Sequence, residues 1–250
     1  MSGHNKWANI KQRKGAQDAK RSNLFSKIVK EIIIAARHGG GNPDNNSRLR
    51  TALDKAREAN MPKDNIEKAI KRGTGELEGV AYEELTYEGY GPGGVAVIMD
   101  ITTDSKNRTA AEIRKIFSKH GGNLGESGSV AWMFEKKGYI AVDGKKHSED
   151  EIMEIALDLG ADDIKKSDDI IEVYTSVENY NNVLQGLKEK NITVLSSEIT
   201  RLAQNMVKLE KDKSIALLKL MDELENHDDV QNVSTNADIE DSVIEEFANS

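Results

Sequence analysis

The apolar residues of this chain change their spacing near residue 80, and that change limits what it can fold into. Upstream, Phe25, Ile28, Val29, Ile32, Ile33 and Ala36 recur three and four residues apart, the spacing of one helix face. The pattern predicts a helix over 24–37, with Ser22 or Asn23 as its cap and Gly39-Gly40-Gly41 as its stop. Leu49, Ala52, Leu53 and Ala56 predict a second helix, closed by Asn60-Met61-Pro62, because the residue before a proline disfavours the helical region. Ile66, Ala69 and Ile70 predict a third, ending at Gly73-Thr74-Gly75. Residues 1–22 have little periodicity beyond Trp7 and Ile10 and read as an arm.

Beyond residue 80 the period falls to two and β-branched residues gather in short runs. Strands are expected at 85–88 and 95–102, joined through Gly89-Tyr90-Gly91-Pro92-Gly93-Gly94, then a helix over 107–120 and a strand over 129–135. A complete unit follows: strand 138–143, helix 149–159, strands 163–167 and 170–176, helix 179–190, strand 192–200. This βαββαβ order is that of a ferredoxin-like layer, with helices covering one face of an antiparallel sheet. Strand 204–209, helix 212–226 and strand 230–236 are left to complete an outer unit with 95–135. The expected fold class is therefore α+β: a three-helix domain over 1–79, an α/β domain over 80–135 plus 203–250, and a second ferredoxin-like domain, 136–202, inserted into it.

Charge is sorted along the same boundary. Residues 1–79 hold 17 Lys or Arg against 9 Asp or Glu, whereas residues 80–250 hold 18 against 34. Eight of the cations, and the single acid Asp18, fall in the first thirty residues. A local positive field attracts polyanions even when the whole molecule, at net charge -8, would repel them. The absence of cysteine excludes disulfides, thiolate metal sites and cysteine nucleophiles. No apolar run approaches the roughly 18 residues that span a bilayer, so a soluble protein without a membrane partner is expected, and the absence of cysteine is compatible with a reducing cytoplasm.

The arm, Gly3-His4-Asn5-Lys6-Trp7-Ala8-Asn9-Ile10-Lys11-Gln12-Arg13-Lys14 and on to Lys20-Arg21, combines phosphate-neutralising cations with an aromatic ring. Trp7 serves either to stack on a base or to anchor the arm on the helices. Lys27, Lys30 and Arg37 extend the basic surface along the first helix, while later cations of the helical domain alternate with acids at pairing distance. Arg108, beside Asn107 and Thr109 at a helix start, suits a phosphate or pairs with Asp104.

Other patterns speak against catalysis. Gly89-x-Gly91-x-x-Gly94 matches a dinucleotide fingerprint in form, but a strand follows it where a helix is required, so it reads as a turn. The loop from His120 to Gly128 reads as a helix stop and a connection. Asp100 and Asp104 could serve a metal-dependent nuclease, yet strand-end acids before polar caps are ordinary turn chemistry. The five histidines form no metal-spaced pair, and no nucleophile motif is present. The 12 acids against three lysines from Glu210 onward read as the solvated exterior of a core-facing helix.

Taken together, the arm, Asn60-Met61-Pro62-Lys63-Asp64-Asn65-Ile66, Tyr87-Glu88-Gly89-Tyr90-Gly91-Pro92-Gly93-Gly94, Asn107-Arg108-Thr109, the stretch from Phe117 to Gly125 and Val130-Ala131-Trp132-Met133-Phe134 resemble the YebC/PmpR family over nearly the whole chain. Asp228-Asp229-Val230-Gln231-Asn232-Val233 continues the likeness. The chain departs from it at Gln12, where a histidine is common, and at Ala203, where a proline is common. The resemblance implies a cytoplasmic, non-enzymatic, three-domain protein. Bacterial members are usually described as DNA-binding transcriptional regulators, a mitochondrial relative as a translational activator, and some bacterial relatives as ribosome-associated.

The expected function is thus a non-enzymatic nucleic-acid-binding regulator of gene expression acting on DNA, with a translation factor that docks on ribosomal RNA as the alternative and a phosphoester-acting enzyme as a third reading. The expected contact residues are Lys6, Trp7, Lys11, Arg13, Lys14, Lys20, Arg21, Lys27, Lys30, Arg37, Asn107 and Arg108. No cofactor, metal or small-molecule substrate is expected.

Overall fold

The structure, a computed structural model, describes residues 18–167 and 169–249. The first helix among the described residues, α1 (Asp18–Gly39), extends at least four residues before the expected cap, and Asn23 lies inside it. Its apolar residues Ile28, Ile32, Ile33 and Ala35 pack against Leu49, Ala52, Leu53 and Ala56 of α2 (Ser47–Glu58) and Ala69 of α3 (Lys63–Thr74). Asn46 fixes the α1–α2 corner: its side chain accepts from the Leu49 amide at 3.0 Å and donates to the Ala35 and Gly40 carbonyls at 2.8 Å each. Gly73 lets α3 touch α1, since a β-carbon there would stand 2.6 Å from both the Ala36 side chain and the Ile33 carbonyl. Gly75, at φ +83°, ends α3 in the left-handed conformation that glycine adopts without cost.

β1 (Glu83–Tyr90) and β2 (Ala96–Thr103) pair antiparallel in register from Glu83 opposite Thr103 to Tyr90 opposite Ala96. The glycine run between them is a turn, as expected, with Gly93 and Gly94 at φ +81° and +75°. Then come α4 (Lys106–Lys119), the two-residue β3 (Asn123–Leu124), β4 (Phe134–Asp143), α5 (Glu149–Asp158), β5 (Asp163–Ser167), β6 (Ile170–Thr175), α6 (Tyr180–Glu189) and β7 (Val194–Ala203). The chain continues through β8 (Val207–Lys208), α7 (Lys211–Glu225), β9 (Val230–Thr235), β10 (Ala237–Asp238) and α8 (Asp241–Asn249).

Two four-stranded sheets result, in the orders β3-β1-β2-β9 and β5-β6-β4-β7, every neighbouring pair antiparallel. The second is the expected βαββαβ unit with ferredoxin-like order. The first has the same spatial order, but the place that β6 takes in the second is filled by β1, which precedes β2 in the chain. Its strands come from both sides of the segment that builds the second sheet. α4 and α7 cover one face of the first sheet around Val97, Met99, Ile101, Phe117, Leu217, Met221 and Val233, while α5 and α6 cover Ile140, Val142, Ile171 and Val173 of the second.

Two expected strands are corrected. Residues 129–135 form no strand of the first sheet; they comprise a loop and a 3-10 turn, Ala131–Met133, and only Phe134 begins the long β4. The amides of Gly128, Val130 and Ala131 all donate at 2.7 Å to the carboxylate of buried Glu88, which removes them from any ladder. Val130 and Phe134, four residues apart, are buried against Ala96 and Ile98, so the true anchor spacing is four and not two. Residues 204–209 shrink to the Val207–Lys208 pairing with Ala237–Asp238, and that pairing is parallel.

Candidate nucleic-acid interface

The expected contacts Lys6, Trp7, Lys11, Arg13 and Lys14 lie outside the described residues. Lys20 and Arg21 fall on the first turn of α1. The three remaining cations of that helix all reach toward the sheet domain that follows. Lys27 donates its ammonium to the Glu225 carbonyl at 2.5 Å, and the Arg37 guanidinium donates to the Tyr82 carbonyl at 2.9 Å. Lys30 donates to Asp229 Oδ1 at 2.6 Å and to the Asp228 carbonyl at 2.9 Å, with its Nζ 5.5 Å from the Tyr82 ring centre. Asn23, expected as a cap, instead donates to the Asn226 carbonyl and to Asp228 Oδ1 at 2.8 Å each.

Lys30 therefore corrects the expectation of an exposed basic face: its side chain is only 10% exposed and its charge is met at once by a carboxylate. The cause is a second buried face on α1. At 100° per residue, Asn23, Lys27, Lys30, Ile34 and Arg37 form a stripe roughly opposite Ile28, Ile32 and Ala36. Ile34, on that stripe, is 1% exposed.

Asp229 is the hub of this contact. Its Oδ2 accepts from Arg108 at 2.7 Å, from Thr109 at 2.7 Å and from Thr103 at 3.2 Å, opposite the Lys30 bond on Oδ1. Burial pushes the carboxyl pKa upward, but the hydrogen bonds from Lys30, Arg108 and Thr109 outweigh it and hold the group well below the usual carboxylate range. Arg108 also pairs with Asp104 at 2.9 Å, so of its two expected roles the structure places it in ion pairs. Its neighbour Asn107 is exposed.

A cleft of about 590 Å³ opens over the hub, where Asp104, Glu112, Asp228 and Asp229 outnumber Lys30 and Arg108. That balance disfavours a phosphate. Glu112, His227 and Asp229 bring one ligand atom each within 4.8 Å of one another, the spacing of a cation site. Asp229, however, already faces two cations, and His227 Nδ1 accepts the Asp229 amide at 3.1 Å while Nε2 meets Glu112 at 2.9 Å. A divalent ion would have to displace the ammonium or the guanidinium, so the donor set fits an ion-pair hub better than a metal. Asp100, the other expected acid, pairs with Arg201 of β7 at 2.9 Å, while Asp104 shares Arg108 with Asp229, so the two expected acids face different arginines.

Sequence reasoning missed four joints. Arg48 bridges Glu31 and Glu84, with the shortest contacts at 2.8 and 2.6 Å, and these bonds outweigh burial to raise its pKa. Thr51 meets Asn181 at 2.8 Å, tying α2 to α6, and Arg201 ties β7 to β2. The Glu88 clasp is the fourth. Its one legible signal was a carboxylate next to the buried end of a strand, a position that requires donors.

Among the described residues, three N-terminal helices joined to two four-stranded α/β layers define the class as a mixed α+β protein with a helical head. The chain belongs to the TACO1/YebC family: residues 5–76 match the model of the TACO1/YebC protein N-terminal domain, and residues 82–237 that of the TACO1/YebC second and third domain. It is 57% identical over 249 residues to a probable transcriptional regulatory protein of Dictyoglomus turgidum, covering 99% of this chain and all of that one. It is also 57% identical over 243 residues to one of Desulfosudis oleivorans, covering 97% and 99% of the two chains. The crystal structure of a conserved hypothetical protein from Aquifex aeolicus superposes with a TM-score of 0.81 at 47% identity, covering 89% of this chain and 92% of that one.

Proposed function

We propose that the protein is a non-enzymatic regulator of gene expression that binds nucleic acid through its N-terminal arm. The observation that carries this reading is the charge of the first twenty-one residues, six cations (Lys6, Lys11, Arg13, Lys14, Lys20 and Arg21) against one acid, before the stretch of α1 that Asn23, Lys27, Lys30 and Arg37 clamp to the body of the molecule. The relatives named as probable transcriptional regulatory proteins support it. On this reading Lys6, Trp7, Lys11, Arg13, Lys14, Lys20 and Arg21 meet the polyanion, while Lys30 and Arg108 are positioning residues that hold the helix behind the arm. The reading divides the chain at 1–79, 80–135 with 203–250, and 136–202, and places it in the cytoplasm; no described helix is long and apolar enough to cross a membrane.

Binding of fluorescent duplex DNA and of ribosomal RNA fragments, measured against salt, tests the proposal. If six arm cations neutralise phosphates, log affinity for the duplex falls with log salt at a slope of about -5. Deleting residues 1–21 is expected to abolish binding. Unchanged affinity and slope after the deletion would overturn it, and retention of ribosomal RNA alone would assign the translation-factor reading.

A further inference from the structure

Trp132 is the most exposed large apolar side chain among the described residues, at 67%, although its neighbours Val130 and Phe134 are buried at 0% and 8%. Those two residues anchor the backbone on either side of it. The Glu88 carboxylate takes the amides of Gly128, Val130 and Ala131, and three backbone donors outweigh its burial to lower its pKa. The Tyr90 hydroxyl donates to the Ser129 carbonyl at 3.1 Å, and the indole Nε1–H of Trp132 donates to the same carbonyl at 3.2 Å. The turn is thus held from inside, and the indole is held by the turn. An apolar ring fixed outward in this way gives up burial that the chain could otherwise have gained.

We propose that Trp132 is a stacking platform for an unpaired nucleobase, with Glu88 as its positioning residue; this rests on the nucleic-acid reading above and adds a second contact far along the chain from the arm. The indole N–H is occupied by Ser129, so what the residue offers a partner is its flat face. A face without a hydrogen bond suits a base, because every base has a π surface and stacking tolerates any sequence. A ring ordered before binding also loses little freedom on stacking. Duplex bases are already stacked on each other, so the partner base is unpaired, in an RNA loop or in a single strand of either nucleic acid.

Because Trp7 belongs to the proposed arm contact, affinities are read by anisotropy on the unaltered full chain and its Trp132 and Glu88 variants, and the full chain carrying Trp7→Phe, with Trp132 as its sole indole, serves only to report quenching. Each is titrated with a 12-nucleotide single-stranded RNA, the DNA of the same sequence and the corresponding duplex, following the anisotropy of the labelled strand or, in the Trp7→Phe chain, indole fluorescence. Quenching in step with binding is expected for single strands and not for the duplex, and the RNA and DNA arms identify the source of the base. Trp132→Ala is expected to weaken single-strand binding about tenfold, Trp132→Phe to recover part of the loss, and Glu88→Gln to reduce the quenching amplitude of the Trp7→Phe chain. Single strands that bind without quenching, with affinity unchanged by Trp132→Ala, would overturn the proposal, leave Trp132 to a protein contact and leave the arm's role standing. Absence of binding to every oligonucleotide at low salt would remove both.

Discussion

Two buried carboxylates organise this molecule, and they do so with opposite kinds of partner. Asp229 is surrounded by charges and hydroxyls from separate elements, Lys30 of α1, Arg108 and Thr109 of α4 and Thr103 of β2, so its bonds join the helical domain to the first sheet. Glu88 receives only the backbone amides of one short loop. A carboxylate paired with distant cations constrains the arrangement of whole domains. One paired with adjacent amides constrains a few residues, here those that hold Trp132 outward. The comparison teaches that similar burial, 4% for both residues, sets no role by itself; whether the donors come from separate elements or from one loop does.

The comparison predicts a large global effect at one site and a smaller local one at the other. Asp229→Ala leaves Lys30 without its counter-charge in a buried setting and is expected to cost about 3–5 kcal/mol of stability, read by urea unfolding. A loss below about 1 kcal/mol would mean that the hub is not a domain latch. Glu88→Gln keeps one acceptor but turns an amide nitrogen toward a backbone donor, for an expected cost of roughly 2 kcal/mol. The Trp132 emission should shift with it while the contact between α1 and the first sheet stays protected from hydrogen exchange; protection lost on both sides would erase the distinction.

The smallest effect is the pH dependence. Both folded pKa values are lowered, so their contribution is present above the unfolded carboxylate values, about 4, and is lost as pH falls through the folded values. Stability is expected to hold from pH 7 to about 5 and to drop by roughly 1 kcal/mol by pH 4, with a shallower acid limb in Asp229→Ala. An identical limb in that variant would assign the acid sensitivity elsewhere.

Much of the architecture was legible because it depends on local pattern. The Ile28, Ile32, Ala36 spacing, the turn at Gly93 and Gly94, and the βαββαβ order of residues 138–200 were all readable from periodicity and glycine placement. Lys30 was misjudged for a clear reason. It lies on the polar side of α1, and only the neighbouring sheet buries that side, with Ile34 as the lone apolar hint. The segment 129–135 was misread because Val130, Trp132 and Phe134 alternate as a strand would, while the residue that overrides this alternation, Glu88, lies about forty positions away. The hub was likewise out of reach, since Asp229 and Lys30 are 199 residues apart.

The sequence by itself determined which segments are helices and strands, because spacing at 3.6 or 2 records which face of each element avoids water. It also determined where positive charge gathers, because charge is a property of composition. Tertiary structure alone decided which of those charges remain available. Lys30 and Arg108 find Asp229 only when α1, α4 and β9 meet, and Trp132 is held outward only when Glu88 of β1 reaches the loop before β4. Burial and pairing over such separations are set by the packing of elements, and no local pattern carries them.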